Sequence, residues 1–174
     1  LTSVLKRVKN DIDKVEILNA IADEYKTSDP KMMLQFAQQA LQLSKKINYK
    51  VAEGNAYLNI GNANIILGSY TIALQNFNSA ALLFENQTNA NPKHAIEIKK
   101  GLAKAYGSMG IIFSEQSNYT KALHFYLKSV KIYESLNDQA KCASIYNNIG
   151  IVFKSQSSDF KALEYFVKAQ KIKE

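Results

Sequence analysis

The sequence predicts an all-α protein, an α-α superhelix of about four helix-turn-helix repeats. Three observations predict it. Glycine and proline are scarce, seven and two in 174 residues, so long stretches lack turn formers. Apolar residues recur at helical spacing, as in the stripe Ala122, Leu123, Tyr126, Val130 and Tyr133. A pattern of tyrosine, glycine, aromatic, alanine, aromatic and small residue occurs three times.

The copies align on the glycine. The first has Tyr57, Gly61, Tyr70, Ala73, Phe77 and Ala80. The second has Tyr106, Gly110, Tyr119, Ala122, Tyr126 and Ser129. The third has Tyr146, Gly150, Phe160, Ala162, Phe166 and Ala169. Offsets from the glycine are −4, +9, +12, +16 and +19, with Phe160 alone displaced, to +10.

Each copy reads as two helices, A and B, joined by a short polar turn such as "LGS", "QSN" or "QSSD". A glycine inside a helix costs about 1 kcal/mol against alanine. A cost repeated three times needs a packing reason. The missing side chain lets helix B approach, with Ala73, Ala122 and Ala162 as the matching small residues. The aromatics at −4, +9 and +16 are expected to fill the space around that contact.

A degenerate copy precedes these. Ile21 lies forty residues before Gly61, and "SDPKMMLQFAQQALQLSKKI" matches a B helix. Asp29 is the expected N-cap, Pro30 the first helical residue, and Ala37 and Ala40 hold the aromatic and small positions. "DKVE" at 13–16 reads as a capping box opening helix A. Residues 1–10 read as a helical remnant, and 11–48 as the degenerate repeat. Full repeats are placed at 51–86, 94–136 and 139–174, with a polar loop insertion at 87–93. In that loop Asn91 is the expected cap and Pro92 the first residue of the next helix.

These motifs resemble the tetratricopeptide repeat (TPR). "YLNIG", "YGSMG" and "YNNIG" correspond to the first part of the family signature. "YTIALQNFNSA", "YTKALHFYLKS" and "FKALEYFVKA" correspond to the second. The glycine spacing is 49 and then 40 residues, longer than the usual TPR period of about 34. The forty-residue form is similar to the TPRs of kinesin light chain and LGN-type proteins, and to those of bacterial sensor kinases and regulators.

Composition narrows the function. The single cysteine, Cys142, excludes an intrachain disulfide and leaves the compartment open, cytoplasmic or periplasmic. No run approaches the length of a membrane span. The net charge of +7 is uneven: residues 1–92 carry nine basic and eight acidic side chains, residues 93–174 thirteen and seven. The start lacks an initiator methionine and a signal-type apolar region, so the chain reads as processed or as part of a longer protein. It ends inside a B helix whose stripe, Leu163, Phe166, Ala169 and Ile172, expects cover. The array is expected to continue, or self-association to cover the uncapped repeat.

No catalytic constellation is present, so the chain is expected not to be an enzyme, and no cofactor or metal is expected. His94 and His124 lack partners at ligand spacing. Cys142 reads as a packing residue. Glycines 101, 107 and 110 do not form a phosphate loop, because no Lys-Ser pair follows. "NQT" at 86 and "NYT" at 118 match the glycosylation sequon, a frequent chance match. Lys121, Lys128 and Lys131 recur as Lys161, Lys168 and Lys171. They read as a solvated convex face rather than a nucleic-acid ribbon, since the aromatics are used in the core. Ile72, Ser79 and Leu82 hold those offsets in the preceding copy.

The resemblance implies that helix A lines a concave groove that binds a protein or peptide. The implied groove residues are Asn55, Asn59 and Asn62, then Lys104 and Ser108, then Asn147, Asn148 and Lys154. Asn59 and Asn148 share offset −2, where related TPRs use asparagine on peptide backbone. A carboxamide donates and accepts, which matches a peptide unit whatever its side chain. The lysine-asparagine clamp for a C-terminal carboxylate is absent. A sensing region of a larger bacterial signalling protein, a histidine kinase or transcription regulator, is the alternative; nucleic-acid binding ranks below both.

Overall fold

A computed structural model describes residues 5, 8–87 and 94–172. Eight α-helices follow one another among the described residues: α1 (Asp11–Glu24), α2 (Pro30–Lys46), α3 (Lys50–Ile66), α4 (Tyr70–Asn86), α5 (Ala95–Glu115), α6 (Tyr119–Ser135), α7 (Gln139–Ser155) and α8 (Asp159–Lys171). A 3-10 turn, Tyr25–Thr27, separates α1 from α2. The chain divides into two compact units, Leu1–Gly101 and Leu102–Glu174, and α5 runs through the boundary.

The helix starts follow capping chemistry. The Asp29 carboxylate accepts from the backbone N–H groups of Lys31 and Met32 at 3.0 and 3.1 Å, with Pro30 opening α2. Asn118 and Asp138 accept from the backbone N–H groups of Lys121 and Lys141, three residues later, opening α6 and α7. The expected capping box at 13–16 is corrected. Helix α1 begins at Asp11, capped by the Asn10 carboxamide, which accepts from the Ile12 N–H at 2.9 Å. Asn10 is as good a cap as serine or aspartate, and it lies further upstream. The expected cap Asn91 and helix start Pro92 lie outside the described residues.

The helix ends share one device. Asn48, Gly68, Ser117, Asn137 and Ser157 all have φ between 53° and 74°. Each sits between two backbone hydrogen bonds, as in Gly68 N–H to Ile65 and Ser69 N–H to Asn64, at 3.0 and 2.8 Å. This is the Schellman closure, which turns the chain sharply into the next helix. Glycine and asparagine take the left-handed conformation at low cost; serine does not. Ser117→Gly and Ser157→Gly are therefore expected to stabilise the protein by about 0.5–1 kcal/mol each. Thermal unfolding followed by circular dichroism measures it.

The glycines do what their recurrence implies. A methyl placed on Gly61 would lie 2.6 Å from the Phe77 ring, on Gly110 2.5 Å from Tyr126, and on Gly150 2.6 Å from Phe166. Each glycine thus faces the ring sixteen residues later. A second set was not visible as a repeat. The Phe84 ring is completely buried, and methyls on Gly54 and Gly101 would lie 2.6 and 2.5 Å from it.

Ala73, Ala122 and Ala162 are buried as expected. Phe160 is not: it is 85% exposed. The structural match to Tyr70 and Tyr119, each the first residue of its helix, is Asp159. A one-residue displacement rotates a helical side chain by about 100°, which carries Phe160 into solvent.

Candidate functional site

The implied groove residues lie on the A helices of both units, and each unit treats them differently. In the first unit, α1 and α3 are neighbouring A helices joined by a buried asparagine pair. The Asn59 amide donates to the Asn19 backbone carbonyl at 3.0 Å, and the Asn19 amide donates to the Ala52 carbonyl at 3.0 Å. Asn19 lies at −2 from Ile21, so the two asparagines occupy the same repeat position. Asn59 is 8% exposed. Its carboxamide ties one A helix to the next instead of standing open for a ligand. Asn55 is also engaged, donating to the Glu97 carboxylate at 2.8 Å. Asn62 is half-buried.

In the second unit, α5 and α7 lie side by side. A methyl on Gly107 would lie 3.3 Å from the Ile145 Cδ1 and 3.3 Å from the Ser129 hydroxyl. That hydroxyl donates to the Ala103 carbonyl at 2.8 Å, fixing α6 against α5. Below the surface Tyr126, Val130, Tyr133, Cys142, Ile149 and Val152 form a continuous core. Burial raises the Tyr126 and Tyr133 phenols to about 12, with Glu115 and Asp138 as nearby negative charges in second place. Burial also pushes the Cys142 thiol up, which suits a packing residue rather than a nucleophile.

Above that core Lys104, Asn147 and Lys154 are exposed, and Ser108 and Asn148 are half-buried. Neither Asn147 nor Asn148 bonds through its side chain to another described residue. Offset +1 on the same two helices holds two apolar residues, Ile111 and Ile151, 38% and 47% exposed. The second unit therefore presents unbonded carboxamides, exposed isoleucines and lysines on its A helices; in the first unit Asn55 and Asn59 are engaged and Asn62 is unbonded.

The convex lysines lay their stems on aromatic rings outside the buried stripe. Lys121 lies 5.2 Å from the Phe113 ring centre and Lys161 5.4 Å from Phe153, equivalent pairs in successive repeats. Lys128 covers Tyr106 at 4.5 Å and Lys168 covers Tyr165 at 4.7 Å. The stems shield the ring faces and the ammonium groups gain cation–π attraction. Among the described residues no three His, Cys, Asp or Glu side chains are grouped to hold a metal ion. No helix among them is long and apolar enough to cross a membrane.

Residues 101–174, under half of the chain, match the family model described as tetratricopeptide repeat. No curated protein matches the sequence. Solved structures of similar fold include a Rap protein complexed with Competence and Sporulation Factor. It has a TM-score of 0.85 and 19% identity, over 97% of this chain and 45% of that one. Aspartyl phosphate phosphatase F from Bacillus subtilis has a TM-score of 0.83 and 19% identity, over 98% and 43%. BtubC from P. vanneervenii has a TM-score of 0.76 and 16% identity, over 96% and 66%. The chain spans about half the length of the first two structures and just under two thirds of the third. At these identities the likeness is one of fold. Residues 101–174 thus match the tetratricopeptide repeat model, and the same glycine–aromatic packing and helix-pair architecture extend into the residues before them.

Proposed function

We propose that the second unit holds an extended segment of a partner protein across the exposed face of α5 and α7. The carrying observation is the free pair Asn147 and Asn148 beside the exposed Ile111 and Ile151. The carboxamides pair with peptide backbone, and the isoleucines take an apolar side chain of the segment. Lys104 and Lys154 favour acidic side chains toward its ends. The structure of a Rap protein complexed with Competence and Sporulation Factor is consistent with a fold of this kind receiving a factor.

A second reading places the chain as the sensing region of a larger signalling protein. It is favoured by the share of the Rap protein and of aspartyl phosphate phosphatase F that the chain spans, 45% and 43%. The two readings are compatible, since a sensing region also needs a ligand surface.

The test is selection of a displayed random peptide library on the protein, followed by calorimetric titration of the best binder. Asn148→Arg is expected to weaken that binder at least tenfold, about 1.4 kcal/mol, with the helical signal unchanged. Unchanged affinity would falsify the assignment of the asparagines.

A further inference from the structure

The outer face of α6 carries a row of basic groups that its own helix does not neutralise. Lys121, His124, Lys128 and Lys131 follow spacings of three, four and three, so they share one face of the helix. All four are exposed. At 1.5 Å per residue the row is about 15 Å long, with one basic group per turn. Glu134 is the only acidic residue in α6, and it accepts from the Tyr146 hydroxyl. None of the three lysines forms an ion pair with a described carboxylate.

Rings hold the row in place. Lys121 lies 5.2 Å from the Phe113 ring centre and Lys128 4.5 Å from that of Tyr106, to whose hydroxyl it also donates at 3.4 Å. His124 stands edge-on to Phe125 at 5.2 Å. The three rings form one bank, with Phe125 5.4 Å from Phe113 and 6.0 Å from Tyr106. Side chains already ordered in this way lose little freedom when a partner arrives. The same contacts occupy ring faces on which a nucleic-acid base would stack.

The next repeat shows what such a row binds. On α8 the equivalent positions hold Lys161, Glu164, Lys168 and Lys171, beside the rings of Phe153, Tyr165 and Tyr146. The three rings occupy equivalent positions in the two repeats. The basic rows differ at one place: α8 has Glu164 where α6 has His124. The Glu164 carboxylate lies 2.7 Å from the Lys168 ammonium, so α8 fills its row with a carboxylate of its own. In α6 that place is open, and charge complementarity calls for a carboxylate from another molecule.

A helix is the partner whose charges fit. Carboxylates on one stripe of an α-helix also follow spacings of three and four, with the same rise, so four of them meet the four basic groups of the row. Leu127, three residues after His124 and four before Lys131, is 47% exposed beside them and offers one apolar contact. One aliphatic residue is too little for insertion into a lipid surface, which needs a broad apolar face. We infer that α6 docks an acidic helix of a partner protein, with its carboxylates on Lys121, Lys128 and Lys131 in the manner of Glu164 on Lys168. This face lies on a B helix and is separate from the A-helix face of α5 and α7.

Fluorescence anisotropy of a labelled alanine-based peptide with the full chain tests this, at about 50 mM salt, where surface charges are weakly screened. The peptide carries four glutamates at spacings of three, four and three, with one leucine beside them. Saturable binding is expected, weakening as salt rises. His124→Glu, which installs the residue that α8 carries, and Lys128→Glu should each weaken it at least about fivefold with the helical signal unchanged. Lys141→Glu, off the row on α7, makes a larger charge change than His124→Glu yet should alter affinity less than about twofold. A peptide of the same composition with its glutamates spread around the helix should bind at least about fivefold more weakly. No binding of the striped peptide, equal binding of the spread one, or equal effects of Lys141→Glu and His124→Glu overturns the inference. So does tighter binding to a thymidine oligonucleotide or to phosphatidylserine vesicles, which would give the row to a nucleic acid or a membrane.

Discussion

Gly61→Ile is expected to unfold most of the first unit, Phe77→Ala to cost about 3–5 kcal/mol, and the two together to restore much of the loss. The Phe77 ring lies where the new side chain would go, 2.6 Å from a methyl on Gly61, and the ring is completely buried. An isoleucine there has no room. Removing the ring alone leaves a cavity that the surrounding helices fill only in part. The chain itself contains the combined solution. In the degenerate first repeat Ile21 occupies the glycine position and Ala37, sixteen residues on, the aromatic position. Both are buried, to 1% and 0% exposure. The large and small partners have changed places, and the two pairs have nearly equal total volume. Urea unfolding followed by circular dichroism gives the coupling. A gain of at least about 2 kcal/mol over the sum of the single effects is expected for residues that share one space. Additive losses would show that the two repeats pack by different rules.

That exchange also explains what was legible. Gly61, Gly110 and Gly150 could be read because each faces a residue a fixed distance along the same repeat. Ile21 and Ala37 broke the letters of the pattern but kept its volume, so the repeat was found by spacing and not by identity. Gly54 and Gly101 were not read, because glycine does not recur at their offsets: that of Gly54 holds Ala103 and Ala143 in the later repeats. The offset of Phe84 holds Tyr133 in the next repeat and Ser44 in the one before. The ring recurs once, as Tyr133, without the two glycines beside it, so the contact leaves no glycine–aromatic period. Phe160 was misplaced because aromatic identity outweighed register. The exact offset, +9, belongs to Asp159. The helix that carries the lysines was legible, but not the rings under their stems: the path of a long flexible side chain depends on the rings beside it, which spacing does not specify.

The asparagines divide in the same way, and their division can be measured. Asn59 and Asn148 are equivalent in sequence, both two residues before the glycine. In the structure Asn59 is buried against Asn19, and Asn148 is half-buried with no side-chain bond to another described residue. Asn59→Ala is therefore expected to cost about 1–3 kcal/mol of stability, the price of losing a buried hydrogen bond that links two helices. Asn148→Ala should change stability by no more than about 0.5 kcal/mol, as for a surface substitution. Binding of a selected peptide should follow the opposite order, weak at Asn148→Ala and close to normal at Asn59→Ala below its unfolding transition. Equal stability losses would mean that Asn148 also braces the helices. Equal binding losses would return Asn59 to the groove and require its bond to Asn19 to open for the ligand. The expected crossing of the two orders separates an asparagine that holds the repeats together from one that the repeats hold out to a partner.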